Sequence, residues 1–228
     1  AGNGVLKGVA PDAKIIAYKV FPNAYSSVII KAIERAVDPN SDGDFSDHLD
    51  VISMSLGGEG NPDDPMSRDV DRAVDVGIVS VIAAGNSGPE EQTIRSPGTA
   101  RKAITIGASD KQDNIAYFSS RGPVVWKDSE GNWKAIVKPD VVAPGVDICA
   151  AQWENAFSDY DTNCNNDDSH VAISGTSMAT PHVAGAVALL KQKNPDWTPE
   201  QIKAALKTTA VDLGYEITEE GYGKIDVL

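Results

Sequence analysis

The chain has few of the residues that characterise several classes of protein. Its 2 cysteines among 228 residues are too few for a disulfide-rich scaffold. Lys and Arg total 20 against 33 Asp and Glu, and the resulting net charge of −13 repels phosphate backbones and anionic lipids, so we expect neither nucleic acid nor a membrane as a partner. No apolar run approaches the roughly 18 residues of a membrane-spanning helix.

What the chain does contain is typical of a folded globular protein. Apolar residues make up 41% of it, too many for a disordered chain, and its 20 glycines and 13 prolines follow no collagen-like period. Aspartate predominates among the acidic residues, and aspartate favours loops, helix caps and cation sites. The length suits one medium domain and no low-complexity linker divides it, so we expect residues 1–228 to form a single domain.

Short β-branched runs alternate with helical patterns along the chain. The runs predict buried strands at Lys14–Val20, Val51–Ser55, Ile78–Ala84 and Ala103–Ala108. Apolar residues at helical spacing predict helices at Ser27–Val37, Arg68–Val76 and Thr176–Lys193, and Thr198-Pro199 with Gln201 announces a last one. This alternation indicates an α/β fold: a mainly parallel twisted sheet with helices on both faces, in three α/β/α layers.

The segment Ser174–Gly185 is the most informative for function. It places Ser177 where a loop turns into a buried helix, so its hydroxyl lies at the positive end of the helix dipole. Gly175 allows a substrate backbone to approach closely. The alternative is that Thr176 and Ser177 only cap a helix.

This segment resembles the nucleophile motif of the subtilisin-like serine proteases, the subtilases. Further matches occur in the order of that family at Gly8–Pro11, Asp50–Gly58, Ala83–Asn86, Tyr117–Pro123, Lys138–Gly145 and Tyr222–Asp226. The resemblance covers nearly the whole chain. It implies a subtilisin-like fold and a secreted or extracytoplasmic endopeptidase that hydrolyses polypeptides through an acyl-enzyme.

The resemblance also assigns roles to individual residues. Ser177 is similar to the family's nucleophile, and Asn86 to the residue whose side-chain amide stabilises the oxyanion together with the Ser177 backbone N–H. Asn86 alone would also suit a turn. Residues expected to contact the substrate are Ser55, Leu56, Gly57, Ala84 and Gly85.

The family's catalytic base is absent from this sequence. A His oriented by an Asp activates the serine in this family, and both lie on segments that precede the match, so we expect residues 1–228 to be an incomplete catalytic domain. None of the three histidines, His48, His170 and His182, is a suitable substitute by position. The chain alone is therefore expected to be inactive, with a missing N-terminal segment or a separate chain supplying the Asp and His. The alternative is a non-catalytic fragment or inactive relative that binds extended peptides through residues 55–57.

An acidic loop at residues 38–50 predicts calcium binding. Its oxygens recur at the first, third and fifth positions, with Gly43 sixth, as in an EF-hand loop, and some subtilases carry a similar calcium loop. Leu49 stands where a bidentate Glu is expected, and a solvated acidic turn is the alternative. The candidate ligands are Asp38, Asn40, Asp42, Asp44, Asp47 and Asp50.

Two further features concern stability and specificity. Cys149 and Cys164 could form one bridge that closes a surface loop, or remain free thiols. Arg95 stands two residues before Pro97-Gly98, where the family commonly has a small residue at the floor of the P1 pocket. There its guanidinium would either fill the pocket or pair with a P1 carboxylate, the alternative being an ordinary surface arginine.

Overall fold

The protein is built around a four-stranded parallel sheet. The computed structural model describes residues 4–154, 156, 164 and 168–226. Its helices are α1 (Ser26–Val37), α2 (Pro65–Asp75), α3 (Thr176–Lys193), α4 (Pro199–Thr209) and α5 (Ile217–Glu220), with a short 3-10 helix at Phe45–Asp47. Its strands are β1 (Val51–Met54), β2 (Val79–Ala83), β3 (Ile104–Ser109), β4 (Val124–Lys127), β5 (Trp133–Ile136), β6 (Val141–Pro144), β7 (Ile148–Ala151) and β8 (His170–Ile173). The parallel sheet has the order β1-β2-β3-β6, while β4-β5 and β7-β8 are antiparallel pairs.

Helices cover both faces of the parallel sheet, and the alternation of side chains along β2 shows why. Val79 and Val81 point to one face, where they belong to the buried cluster formed with α3 and α4. Ile82 points to the other face and packs in the cluster formed with α1 and α2. Because each face of the sheet is covered by helices, every residue of β2 is buried, and all but Ser80 are apolar. The predicted α/β fold with three layers is confirmed.

Local sequence signals set the ends of two helices. Helix α4 begins as predicted, with a capping box in which the Thr198 side chain accepts the Gln201 N–H and the Gln201 side chain accepts the Thr198 N–H. Helix α2 begins earlier than the predicted Arg68. The cause is Asp64, whose carboxylate accepts the Ser67 N–H at 2.8 Å and caps a helix that has Pro65 at its first position.

The predicted strand at Lys14–Val20 is wrong. No described strand pairs with this segment, and Ile15 and Ile16 are 80% and 57% exposed. A β-branched run favours extended backbone, but a strand also needs a neighbour to accept and donate its backbone hydrogen bonds. The parallel sheet ends at β1 within the described residues, so this run has no such neighbour.

The cysteine-bearing segment lies beside the β7-β8 pair. Cys149 in β7 and Cys164 are joined by a disulfide, with their Cα atoms 5.9 Å apart. Trp153 in the enclosed loop is 79% exposed, whereas Phe157 and Tyr160 lie outside the described residues. A search of the described helices found none that is long and apolar enough to cross a membrane.

Candidate active site

Ser177 occupies the first turn of α3, which the sheet buries deeply. The helix follows Gly175, and its backbone N–H groups in the first turn lack intrahelical acceptors. Buried Ala179 and Val183 anchor this end of the helix in the core. A rigid helix therefore presents both the hydroxyl and the backbone N–H of Ser177 at one edge of the sheet.

The Asn86 side chain is held in one orientation by the residue that precedes Ser177. Asn86 Oδ1 accepts hydrogen bonds from the backbone N–H and the hydroxyl of Thr176, both at 2.9 Å. The Gly85 N–H in turn donates to the Thr176 hydroxyl at 3.2 Å. With its oxygen occupied, the amide directs Nδ2 toward Gly175, where an added Cβ would lie 3.3 Å from it. Asn86 thus presents a fixed donor beside the start of α3.

The segment after β1 is tied directly to Ser177. The Ser55 hydroxyl donates to the Ser177 carbonyl oxygen at 2.8 Å, and the Ser177 hydroxyl donates to the Ser55 carbonyl oxygen at 3.4 Å. Three residues after Ser55, Gly58 pairs with Ser96 as an antiparallel bridge. These contacts place residues 55–58 along one side of Ser177.

A cavity of about 210 Å³ opens beside the hydroxyl of Ser177. The lining residues are Leu56, Gly57, Ala83, Gly85, Asn86, Ser87, Arg95, Thr176 and Ser177. The cavity therefore brings the loop after β1, the loop after β2 and the start of α3 to one place. The described lining carries the hydroxyl groups of Ser177, Thr176 and Ser87, the Asn86 amide and one charged side chain, that of Arg95.

Most of the residues selected from the sequence lie together here. Leu56, Gly57, Gly85 and Arg95 line the cavity with Ser177 and Asn86. Ala84 instead lies behind it, fully buried, with its carbonyl oxygen accepting the Arg95 N–H at 2.9 Å, and Ala83 forms the wall. Thr176 and Ser87 were not selected as site residues. The only sequence signal for them was their position: each is a polar residue directly beside a predicted site residue, Thr176 beside Ser177 and Ser87 beside Asn86.

None of the described histidines is hydrogen-bonded to the Ser177 hydroxyl. His48 Nδ1 contacts the Leu49 carbonyl oxygen at 2.9 Å, and His182 Nδ1 contacts the Met178 carbonyl oxygen at 2.9 Å. His170 is fully buried in β8. Among the described residues, the site thus combines the Ser177 hydroxyl with the Asn86 amide, and no histidine is hydrogen-bonded to that hydroxyl.

The acidic loop 38–50 folds around its own backbone. Asp38 accepts the N–H groups of Asp42 and Gly43, at 3.1 and 3.0 Å, and Asp42 accepts the Asp44 N–H at 2.8 Å. Asn40 directs Nδ2 to Asp42 at 3.0 Å. Within the described part of the chain, no three His, Cys, Asp or Glu side chains are grouped to hold a metal ion, and the Asp38 and Asp42 carboxylates accept backbone N–H groups instead. Calcium binding by this loop stays a prediction.

Comparison with known proteins decides the family. Residues 1–224 match the family model described as the subtilase family. This chain belongs to the subtilases. It is 40% identical over 223 residues to serine protease AprX of Bacillus subtilis, covering 91% of this chain and 48% of that protein. It is 38% identical over 216 residues to subtilisin E of the same species, covering 92% of this chain and 47% of that protein.

The similarity extends to three dimensions. This subtilase superposes on the solved structure of sphericase with a TM-score of 0.76 and 32% identity, covering 96% of this chain and 70% of the other. The chain spans about half the length of the two bacterial relatives. The family and the fold of this subtilase are therefore established, together with its resemblance to serine proteases.

Proposed function

We propose that the protein is an extracytoplasmic serine endopeptidase in which Ser177 is the nucleophile and Asn86 stabilises the oxyanion. One observation carries the proposal: both hydrogen bonds from Thr176 to Asn86 Oδ1 leave Nδ2 facing the start of α3, beside Ser177. An amide donor preset in this way stabilises charge that develops only in the transition state. It also adds no charge to desolvate in the resting site.

The proposed reaction is acyl transfer to Ser177. Its Oγ forms a bond to the carbonyl carbon of the scissile peptide while the carbonyl electron pair moves to oxygen. Asn86 Nδ2 and the Ser177 backbone N–H donate to that oxyanion. Collapse of the intermediate breaks the C–N bond, the amine leaves with a proton, and water hydrolyses the acyl-enzyme. Residues 55–57 supply an edge for the extended substrate backbone.

The Ser177 proton needs an acceptor other than the one observed. Its present partner is the Ser55 carbonyl oxygen at 3.4 Å, which is not a base. We propose that a His oriented by an Asp, on a segment or chain beyond these 228 residues, takes this proton. The chain alone is then expected to be inactive.

Labelling with a fluorophosphonate tests the proposal, because the reagent modifies only an activated serine. The full gene product should be labelled at Ser177, and its Ser177→Ala variant should not. Residues 1–228 alone should remain unlabelled. An unlabelled full product that still binds extended peptides would replace the endopeptidase with a peptide-binding protein.

The disulfide supports the extracytoplasmic location, because such bonds form and persist in oxidising compartments. Fractionation of cells that express the full gene product tests this directly. Activity confined to the cytoplasmic fraction, with both cysteines reduced, would contradict it.

A further inference from the structure

We propose that Arg95 makes the enzyme select acidic side chains at P1, the substrate residue whose carbonyl is attacked. This inference rests on the proposed function, since the P1 side chain must enter the cavity that Ser177 and Asn86 share. Among the described residues that line this cavity, Arg95 is the only charged one. The sequence left open whether it fills the pocket, pairs with a carboxylate or lies on the surface.

The stem of Arg95 fills the slot between two glycines. A Cβ added to Gly57 would lie 3.0 Å from Arg95 Cβ, and one added to Gly85 would lie 2.7 Å from Arg95 Cγ. Both glycines are therefore needed for the arginine to pass between them. A large apolar P1 side chain such as Phe would have to displace this stem, so the cavity disfavours it.

The Arg95 guanidinium makes one hydrogen bond that orients it and one long, exposed ion pair. Its Nε donates to the Ser87 hydroxyl at 3.1 Å, which fixes the direction of the group. Glu59 is the only carboxylate in the described residues within ion-pair distance of Arg95, 3.9 Å from Nη1, and its side chain is 95% exposed. An ion pair this long and exposed contributes little, so a substrate carboxylate can replace it.

A P1 Glu or Asp therefore meets an oriented cation with N–H groups to spare. Pairing with a planar guanidinium is strongest when both carboxylate oxygens are engaged, and it is stronger in a cleft than on an open surface. Lys or Arg at P1 would face a like charge. The expected order is acidic residues first, small neutral residues next, and large apolar or basic residues last.

Peptides that differ only at P1 test this inference with the full gene product. We expect kcat/KM for P1 Glu to exceed that for its neutral isostere Gln by about tenfold, a factor set by partial exposure of the pair. Arg95→Met keeps most of the bulk and removes the charge, so it should abolish this ratio while Phe stays a poor substrate. Arg95→Glu should reverse the preference toward Lys.

Arg72→Met is the matched control, because Arg72 is 76% exposed on α2 and pairs with Asp69. It removes one positive charge and should leave the Glu to Gln ratio unchanged. Equal rates for Glu and Gln in the parent enzyme would overturn the inference, as would a ratio that survives Arg95→Met.

Binding to the Ser177→Ala variant separates this inference from the proposed function. Calorimetry with peptides ending in P1 Glu or Gln measures recognition without catalysis. Fluorophosphonate labelling of Ser177 together with equal binding of the two peptides would refute the role of Arg95 and leave the endopeptidase standing. Absence of labelling together with about tenfold tighter binding of the Glu peptide would refute the endopeptidase and support the role of Arg95 in recognising acidic side chains.

Discussion

Lys138 provides a direct test of how burial acts on charge in this protein. It is 1% exposed, and its Nζ donates to the Ala103 carbonyl oxygen at 2.9 Å and to Asp140 at 2.7 Å. Lys203 also pairs with Asp140, at 2.9 Å. One carboxylate thus faces two amines. Asp140 and the more exposed Lys203 balance each other, and a proton on Lys138 is an unbalanced buried charge.

The pKa of Lys138 is therefore lowered from 10.5 to about 7, chiefly by burial, with Asp140 opposing the change and Lys203 adding to it. Burial alone would raise the pKa of Asp140, but Lys138 and Lys203 outweigh it and hold that pKa below 3.8. Two acceptors at Lys138 also match the two N–H donors of a neutral amine. The structure accordingly favours neutral Lys138 in mildly alkaline solution.

The stability of the protein should then rise with pH. Between pH 7 and 10.5 the unfolded chain keeps a proton on Lys138 that the folded chain has released, so higher pH favours folding. Below pH 7 both states carry the proton and the cost of burying the charge is constant. With a folded pKa near 7, linkage predicts a gain of about 2 kcal/mol between pH 7 and pH 9.

Denaturant unfolding of the full gene product, in the Ser177→Ala background to prevent self-digestion, measures this gain. Lys138→Met should remove it, and Asp140 would keep Lys203 and the Thr105 N–H at 2.8 Å as partners. Lys102→Met is the control, since the pKa of Lys102 is raised by its hydrogen bond to Asp75 and lies outside this range. Identical pH slopes for the parent and Lys138→Met would refute the reasoning.

The remaining predictions concern the site, the acidic loop and the disulfide. Asn86→Ala should lower kcat of the full product by a factor of about 10² to 10³, with little change in KM. Thr176→Val removes only one of the two hydrogen bonds to Asn86 Oδ1, so it should lower kcat by a smaller factor. Equal kcat for Asn86→Ala and the parent would exclude the oxyanion role. Calcium binding at residues 38–50 predicts a higher melting temperature in millimolar calcium than in chelator, and Asp42→Ala should abolish this difference. Equal melting temperatures of the parent protein in calcium and in chelator would contradict calcium binding. Cys149→Ser should cost about 3 kcal/mol of unfolding free energy on the entropic model for a loop of 15 residues, and two titratable thiols in denatured, unreduced parent protein would contradict the bridge.

Helices and the general fold class could be predicted from the sequence because their signals are local. Helix α3 begins and ends at the predicted residues, and the capping box at Thr198 depends on side chains only three residues apart. The apolar β-branched runs that predicted β1, β2 and β3 are typical of a parallel sheet, and β2 and β3 are buried along their whole length. The run at Lys14–Val20 shows the limit, because the same local signal has no described partner strand.

The candidate site was predictable in part, and through its motifs. Ser177 and Asn86 were selected by resemblance to the subtilases, yet the fixed amide depends on Thr176, which lies 90 residues from Asn86 in the chain. Asn86 follows the parallel strand β2, and the start of α3 is held at the same edge of the sheet because the Gly175 N–H donates to the carbonyl oxygen of Gly145, just after β6. The same topology places Arg95 in the cavity, a location that the sequence left open.

Only tertiary structure decided the state of the buried charges. A lysine is expected at the surface from sequence alone, since Lys is almost never fully buried without a partner. Lys138 is buried because the Ala103 carbonyl, 35 residues away, accepts its N–H, and because Lys203, 100 residues from Ala103, completes the cluster. The secondary-structure preference of a segment depends on residues that are adjacent in the sequence. The pKa of a buried group depends instead on its dielectric environment and charge partners, which are set by the distant residues that the fold brings into contact.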